Sequence, residues 1–254
     1  MPEKPAPDLD ALLRYRQKRD FAKTPEPAAG APGDARADLT FVVQQHAATR
    51  MHWDFRLEVD GVLVSWAVPR GPSLNPKDKR MAAHVEDHPF DYGGFEGVIP
   101  KGNYGAGQVI VWDHGTYSPD EGGVYSWGAR TDGSARMRAE RETGKLAFTL
   151  RGKKLRGSWT LVRTARPDGR PSGRDPKDWL LIKHRDEYAS TRDVLEEDRS
   201  VISGVTIRDL KEGRMPRMAA AGGPPHPDAR EAPFPDAKSL RPMLATQVAR
   251  PFSR

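Results

Sequence analysis

From Met51 to Val59 the chain alternates strictly. Met51, Trp53, Phe55, Leu57 and Val59 are large and apolar, and His52, Asp54, Arg56 and Glu58 between them are polar. Successive strand residues point to opposite faces, so a period of two puts the five apolar side chains on one layer. Asp60-Gly61 and then VLVSWAV follow, and two such runs joined by Asp-Gly predict a β-hairpin. The apolar row is expected to pack inward. The polar row stays open between two readings, a solvated face with Arg56 in a salt bridge and a reaction site.

Further runs carry the same signature: LTFVVQQH before the hairpin, then RMAAHVEDH (80–88), VIVWDHGTY, KLAFTLRG, SWTLVRT and WLLIKHRD. Seven or so short strands at close spacing with little helix predict a mainly β fold, a small closed or partly open β-barrel with short flanking helices. Residues 8–21 read as one such helix, capped at Asp8 or Asp10, with Leu9, Leu12 and Leu13 on one face. Residues 22–38 read as loop or linker, and 118–141 as polar and irregular. In domain terms, 1–38 is an N-terminal extension, 39–212 the barrel, 213–239 a disordered Pro/Gly/Ala-rich linker, and 240–254 the opening of a further segment.

Bulk composition narrows the chemistry. The 254 residues include no cysteine, which excludes disulfides, thiolate nucleophiles and Cys-ligated zinc, so a metal would have to sit on His and carboxylates. Lys plus Arg number 41 against 35 Asp plus Glu, a net charge of +6 that suits a polyanionic partner. No run of about 18 apolar residues is present for a membrane span. The N-terminus lacks the apolar core of a signal peptide, and a bacterial-type cytoplasmic location is expected.

On one strand face His52 and Asp54 stand roughly 6.5–7 Å apart, close enough for their tips to share an ion. His46, six residues before His52, can fold over as a third ligand. Two imidazoles and a carboxylate suit Mn²⁺, with Zn²⁺ and Fe²⁺ also compatible, and leave positions open for water or substrate oxygens. Arg56 continues the row, and beside a metal its planar fork matches two phosphate oxygens. In RMAAHVEDHPFDY, His84, Glu86 and His88 share one strand parity, and Pro89 ends the strand with His88 at a rim. There His88 would serve as general acid or phosphate contact, or simply as an edge His bonded to its acidic neighbours. FEGVIPKGNYGAGQVIVWD is glycine-rich without a nucleotide-loop pattern, so its glycines read as barrel corners. His114, His184 and His226 read as structural or solvated, and Glu58 as structural.

Taken together, FVVQQHAATRMHWDFRLEVDGVLVSWAVPRGPS, AAHVEDHPFDYGGFEGVIPKGNYGAGQVIVWDHGTY, LRGSWTLVRT and WLLIKHRDEYA resemble the 3′-phosphoesterase module of bacterial DNA ligase D over about residues 39–192, with KRDFAKTPEP upstream. The resemblance implies a small β-barrel enzyme that depends on Mn²⁺, with Co²⁺ or Zn²⁺ as substitutes. Such an enzyme removes a 3′-terminal ribonucleoside from DNA and then the remaining 3′-phosphate during non-homologous end joining, leaving a 3′-OH. It implies metal ligands at His46, His52 and Asp54, and catalytic roles for Arg56, His88 and Tyr92. Arg19, Asp20 and Glu26 match a segment that closes over the site, while Arg70 and Arg80 match anion-binding positions. The implied partners are DNA ends, the ligase and polymerase domains of ligase D, and Ku. The final LRPMLA resembles the start of an ATP-dependent ligase domain, but no K-x-D-G nucleophile motif is present.

Two other classes fit parts of the pattern. Two His and a carboxylate also describe a non-haem Fe(II) oxygenase, which would need no phosphate clamp. A non-catalytic DNA-binding or ligase-docking module would use the polar face for backbone contact alone, and would be indifferent to metal.

Overall fold

A computed structural model describes residues 12–28, 36–164 and 178–214. Among them are ten strands: β1 (Leu39–Ala47), β2 (Met51–Val59), β3 (Val62–Val68), β4 (Arg80–His84), β5 (His88–Pro89), β6 (Gly97–Ile99), β7 (Gly107–Pro119), β8 (Lys145–Gly152), β9 (Arg156–Arg163) and β10 (Asp178–Lys183). The helices are α1 (Leu13–Gln17), α2 (Arg130–Thr143) and α3 (Ile207–Lys211). The expected hairpin is present, with Trp53 opposite Val68 and Val59 opposite Val62. Its tip needs two residues with positive φ, which Asp60 (51°) and Gly61 (81°) supply.

The strands run β1-β2-β3-β4-β10-β9-β8-β7, and β7 pairs back onto β1 along most of its length. This closes an eight-stranded antiparallel barrel, with β5 paired to β3 and β6 to β7 as additions. All eight barrel strands contribute to one interior cluster that includes Phe41, Phe55, Trp66, Trp112, Phe148, Trp159 and Trp179. Each such fully buried side chain contributes roughly 1.5–3 kcal/mol. No helix among the described residues is long and apolar enough to cross a membrane.

The apolar row of β2 enters this interior from Trp53 onward, but Met51, at the open end of the barrel opposite Ala47, is 38% exposed. The polar row is not solvated. Asp54, Arg56 and Glu58 are buried on the outside of the wall, beneath segments that lie over β1, β2 and β3. A second apolar cluster of Val42, Leu63, Phe90 and Val111 belongs to this outer layer.

Three expectations change. Residues 118–141 are not irregular: β7 runs to Pro119, and most of α2 lies in that stretch. Only Gly133, Ser134 and Met137 of α2 are buried, so the helix lacks an apolar stripe that periodicity could detect, although Gly144 (φ 82°) does mark its end. The N-terminal helix is a single short stretch in which Leu12 and Tyr15 face inward and Leu13 is exposed, while Leu9 and the caps Asp8 and Asp10 lie outside the described residues. The strand expected over 80–88 stops at His84. His88 and Pro89 then pair with Leu63 and Val62 of β3, which breaks the parity shared by His84, Glu86 and His88. Most of the linker, the C-terminal segment and His226 lie outside the described residues.

Candidate metal and phosphate site

β1 and β2 pair so that His46 sits opposite His52 and Gln44 opposite Asp54. Antiparallel register therefore places two imidazoles and a carboxylate on one patch of the outer wall. His46 Nδ1 lies 3.6 Å from Asp54 Oδ2, and His52 Nε2 lies 3.5 Å from Asp54 Oδ1. One ligand atom from each residue falls within 4.8 Å of the others. Ligands at about 2.1 Å from one ion stand roughly 3–3.5 Å apart, so small side-chain shifts would close the set.

The backbone aims both rings. His46 Nε2 is 2.8 Å from the Gly105 carbonyl, and His52 Nδ1 is 3.0 Å from the Arg50 carbonyl. A carbonyl can only accept, so those nitrogens carry the hydrogens. In the neutral rings the lone pairs then sit on His46 Nδ1 and His52 Nε2, the atoms that face Asp54.

Behind the triad Arg56 is held by three acceptors. Nε donates to Gln44 Oε1 (2.8 Å), Nη1 to Ser65 Oγ (2.8 Å), and Nη2 to Asp54 Oδ2 (3.0 Å), while Nη1 also lies 2.9 Å from His88 Nδ1. Gln44 itself donates to the carbonyls of Tyr92 and Phe95, tying the 90–95 turn to β1. The N-terminal segment covers this layer. Arg19 pairs with Glu26 (2.8 Å) and Glu86 (3.3 Å), stacks on the Tyr15 ring (3.9 Å), and places Nη2 3.4 Å from His88 Nε2. Lys18 adds a 2.5 Å contact to Glu86.

This surrounding sets the ionisation states. Burial alone would raise Asp54, but the Arg56 charge and then the two imidazoles outweigh it and hold the carboxyl below the usual carboxylate range. His88 is held well below the usual imidazole range by burial first, and then by the Arg56 and Arg19 charges on either side. Burial, with the Glu26 charge, pushes the Tyr92 hydroxyl well up. The layer thus presents a carboxylate, a neutral imidazole, a neutral phenol and two guanidiniums, a set matched to a phosphate oxygen beside a cation.

Comparison with known proteins agrees with this chemistry. Residues 44–163 match the family model described as the DNA Ligase D 3′-phosphoesterase domain. The chain is 41% identical over 256 residues to the multifunctional non-homologous end joining protein LigD of Pseudomonas aeruginosa, across 96% of this chain and 27% of that protein. It is 45% identical over 159 residues to the multifunctional non-homologous end joining DNA repair protein LigD of Mycobacterium tuberculosis, across 63% of this chain and 19% of that protein. The chain belongs to the DNA ligase D 3′-phosphoesterase domain family. It spans about a quarter or less of the length of these relatives.

In this phosphoesterase domain the expected residues divide into two groups. His46, His52, Asp54, Arg56, His88, Tyr92, Arg19 and Glu26 converge in one layer, with His52 at its partly exposed edge. His88 is 5% exposed, so it is not the rim histidine that Pro89 suggested; pairing with β3 pulls it under the N-terminal segment. Asp20, Arg70 and Arg80 stand apart: Asp20 is exposed and bonded to Lys23, Arg70 is exposed in the turn after β3, and Arg80 donates to Asp78. Glu26, in the stretch read as linker, is buried and bonded to Thr24 and Arg19. Gln44, Ser65, Glu86 and the Gly105 carbonyl were not expected in the site. Gln44 shares the parity of His46 and was legible on that ground, whereas Ser65, Glu86 and Gly105 arrive only through strand pairing and loop closure.

Proposed function

We propose that this chain is a divalent-metal-dependent phosphoesterase that trims DNA 3′ ends in non-homologous end joining, removing 3′-terminal ribonucleosides and 3′-phosphates to leave a 3′-OH. The observation that carries the reading is the pair of backbone carbonyls that turn the free lone pairs of His46 and His52 toward Asp54, directly beside a buried guanidinium. His46 Nδ1, His52 Nε2 and Asp54 would hold the ion, Mn²⁺ in the first instance; once bound, it polarises a phosphate oxygen.

The chain's own groups supply the rest. A guanidinium has five N–H bonds, and three of those on Arg56 are held by Gln44, Ser65 and Asp54. Nη1 also faces His88 Nδ1, but the Glu86 carbonyl 2.9 Å from that nitrogen makes it a donor. The second Nη2 hydrogen is left for a substrate oxygen, so Arg56 acts as a fixed, pre-oriented donor and positive charge. His88, kept neutral by burial and two cations, gives its Nδ1 hydrogen to the Glu86 carbonyl, turns its Nε2 lone pair toward Arg19 Nη2, and does not deliver a proton from an imidazolium. Tyr92, also neutral, packs its ring 5.0 Å from the Arg56 guanidinium and 4.7 Å from the His88 ring and limits the water around both. Two hydrolyses follow. Water first replaces the 5′ oxygen of the terminal ribonucleoside on phosphorus, so the ribonucleoside leaves with a 5′-OH and a 3′-phosphate remains. A second water then breaks the bond between phosphorus and the 3′ oxygen, which ends as a hydroxyl while inorganic phosphate departs. The partners in this reading are DNA ends, ligase and polymerase activities of the larger relatives, and Ku.

The test is direct. The chain is incubated with Mn²⁺ and a primer–template ending in a 3′ ribonucleotide or a 3′-phosphate, and the primer terminus is followed. Loss of the terminal ribonucleoside and conversion of the 3′-phosphate to a 3′-OH, both abolished by His46→Ala, His52→Ala and Asp54→Ala, are expected. No processing of either end across Mn²⁺, Co²⁺ and Zn²⁺ would sink the reading.

A further inference from the structure

The two loops that orient the metal-binding rings also carry exposed cations. Arg50 caps the β1–β2 hairpin; its carbonyl holds His52, and its side chain is exposed. Lys101 lies in the β6–β7 loop, residues 100–106, whose Gly105 carbonyl holds His46, and it too is exposed. That loop abuts the hairpin, because Gln108 pairs with Ala47 and Ile99 with Gly107. Arg70 follows β3 at the same end of the barrel, where Val68 pairs with Trp53.

None of Arg50, Arg70 and Lys101 has an ion pair among the described residues, whereas several other cations are held by carboxylates. Lys18 is paired with Glu86, Lys23 with Asp20, Arg80 with Asp78, Arg138 with Asp60 and Arg208 with Glu212. The strand order β3-β2-β1-β7-β6 sets the spread of the three free charges. At about 4.8 Å per strand they lie on an arc of roughly 19 Å around the metal end. A single carboxylate or free phosphate would satisfy one of them. A nucleic-acid strand, with a phosphate roughly every 3.4 Å of helix axis, can satisfy all three.

We propose that Arg50, Lys101 and Arg70 form a collar that grips the phosphodiester backbone of the DNA leading into the site, upstream of the reacting 3′ end. This rests on the reading of the site as one for DNA ends, and it assigns Arg50 and Lys101 a binding role that the resemblance does not give them. The same peptide segments that hold the backbone would hold the His46 and His52 rings, so strand and metal ligands share one rigid rim.

The collar is tested by binding, apart from catalysis. A labelled primer–template with a 3′-OH end is titrated with the full chain in EDTA at several salt concentrations, using fluorescence anisotropy. The Arg50→Ala/Lys101→Ala double variant is expected to bind at least tenfold more weakly near 100 mM salt. Its plot of log affinity against log salt should be shallower by about two, since each lost phosphate contact removes about 0.9 from the slope. Arg50→Lys/Lys101→Arg, which keeps both charges, should keep the wild-type slope, and Arg208→Ala on α3 should change neither quantity. Unchanged affinity and slope in the alanine variant would overturn the collar and leave these cations for an acidic protein partner. The two readings fail separately: end processing without a variant effect on binding defeats the collar alone, and the expected binding results without any end processing defeat the catalytic reading alone.

Discussion

Arg56 Nη2 stands 3.0 Å from Asp54 Oδ2, and through this contact one buried guanidinium joins the carboxylate of the metal set to His88 on its other arm. The charge that keeps Asp54 ionised thus also adds to the burial that keeps His88 neutral. A lysine retains the charge but cannot span Gln44, Ser65, His88 and Asp54 together. Arg56→Lys is expected to fold, to lose about 2–4 kcal/mol of stability through buried partners left unpaired, and to lose at least a hundredfold in turnover on a 3′-phosphate primer. Urea unfolding and single-turnover rates measure the two effects, and near wild-type turnover would exclude the pre-oriented donor role.

The loop that carries Gly105 is held close to β1 by Gly107. A side-chain carbon there would lie 2.2 Å from the Ala47 carbonyl oxygen, and its φ of 149° is one that other residues rarely adopt. Gly107→Ala must push the loop off the hairpin and draw the Gly105 carbonyl away from His46. Metal affinity, read by calorimetric titration with Mn²⁺, is expected to fall tenfold or more, within the range for loss of an outer hydrogen bond to a ligating His. Retention of affinity would show that His46 needs no carbonyl to orient it.

Glu58 serves the fold. It is 1% exposed, accepts from the Thr40 N–H and hydroxyl, and pairs with Arg130 at the start of α2. Glu58→Ala takes one carboxylate partner from the half-buried Arg130 and the acceptor from the Thr40 N–H and hydroxyl, and is expected to cost about 1–3 kcal/mol in urea unfolding. Hydrogen exchange should report faster opening of α2 before the rest of the barrel.

His114 gives a pH signature. It is buried, its Nδ1 has no hydrogen-bond partner among the described residues, and burial followed by the Lys153 charge lowers it from 6.5 to about 4. Between those values the unfolded chain binds a proton that the folded chain refuses, so its contribution falls as pH drops from 6.5 toward 4. Neighbouring Asp113 acts in the opposite sense: burial, against three backbone N–H donors, raises it from 3.8 to about 6, and its contribution is lost as pH rises through that window. His114→Asn removes only the first effect. Relative to the variant, the wild type should lose about 3 kcal/mol between pH 7 and pH 4, measured as chemical denaturation at each pH. Parallel curves would refute the assignment.

Period-two alternation determined the inner row of β2. Trp53, Phe55, Leu57 and Val59 could be assigned to one interior layer because strand geometry alone separates them from the polar residues between them. The same geometry placed His52, Asp54 and Arg56 on a common face. It could not tell whether that face was wet. That was decided by packing of the 12–28 segment and of residues 86–95 over β1, β2 and β3, which desolvates the row and turns ordinary side chains into a coupled set. α2 escaped notice because its buried face is two small residues and one methionine, too little apolar surface to set a period. His88 was displaced from the expected rim because a strand that ends at His84 re-pairs elsewhere, and pairing is settled between strands distant in sequence. Local sequence thus determined which side chains could share a face. Long-range closure decided which faces were buried, which way each imidazole points, and which cations were left for a partner.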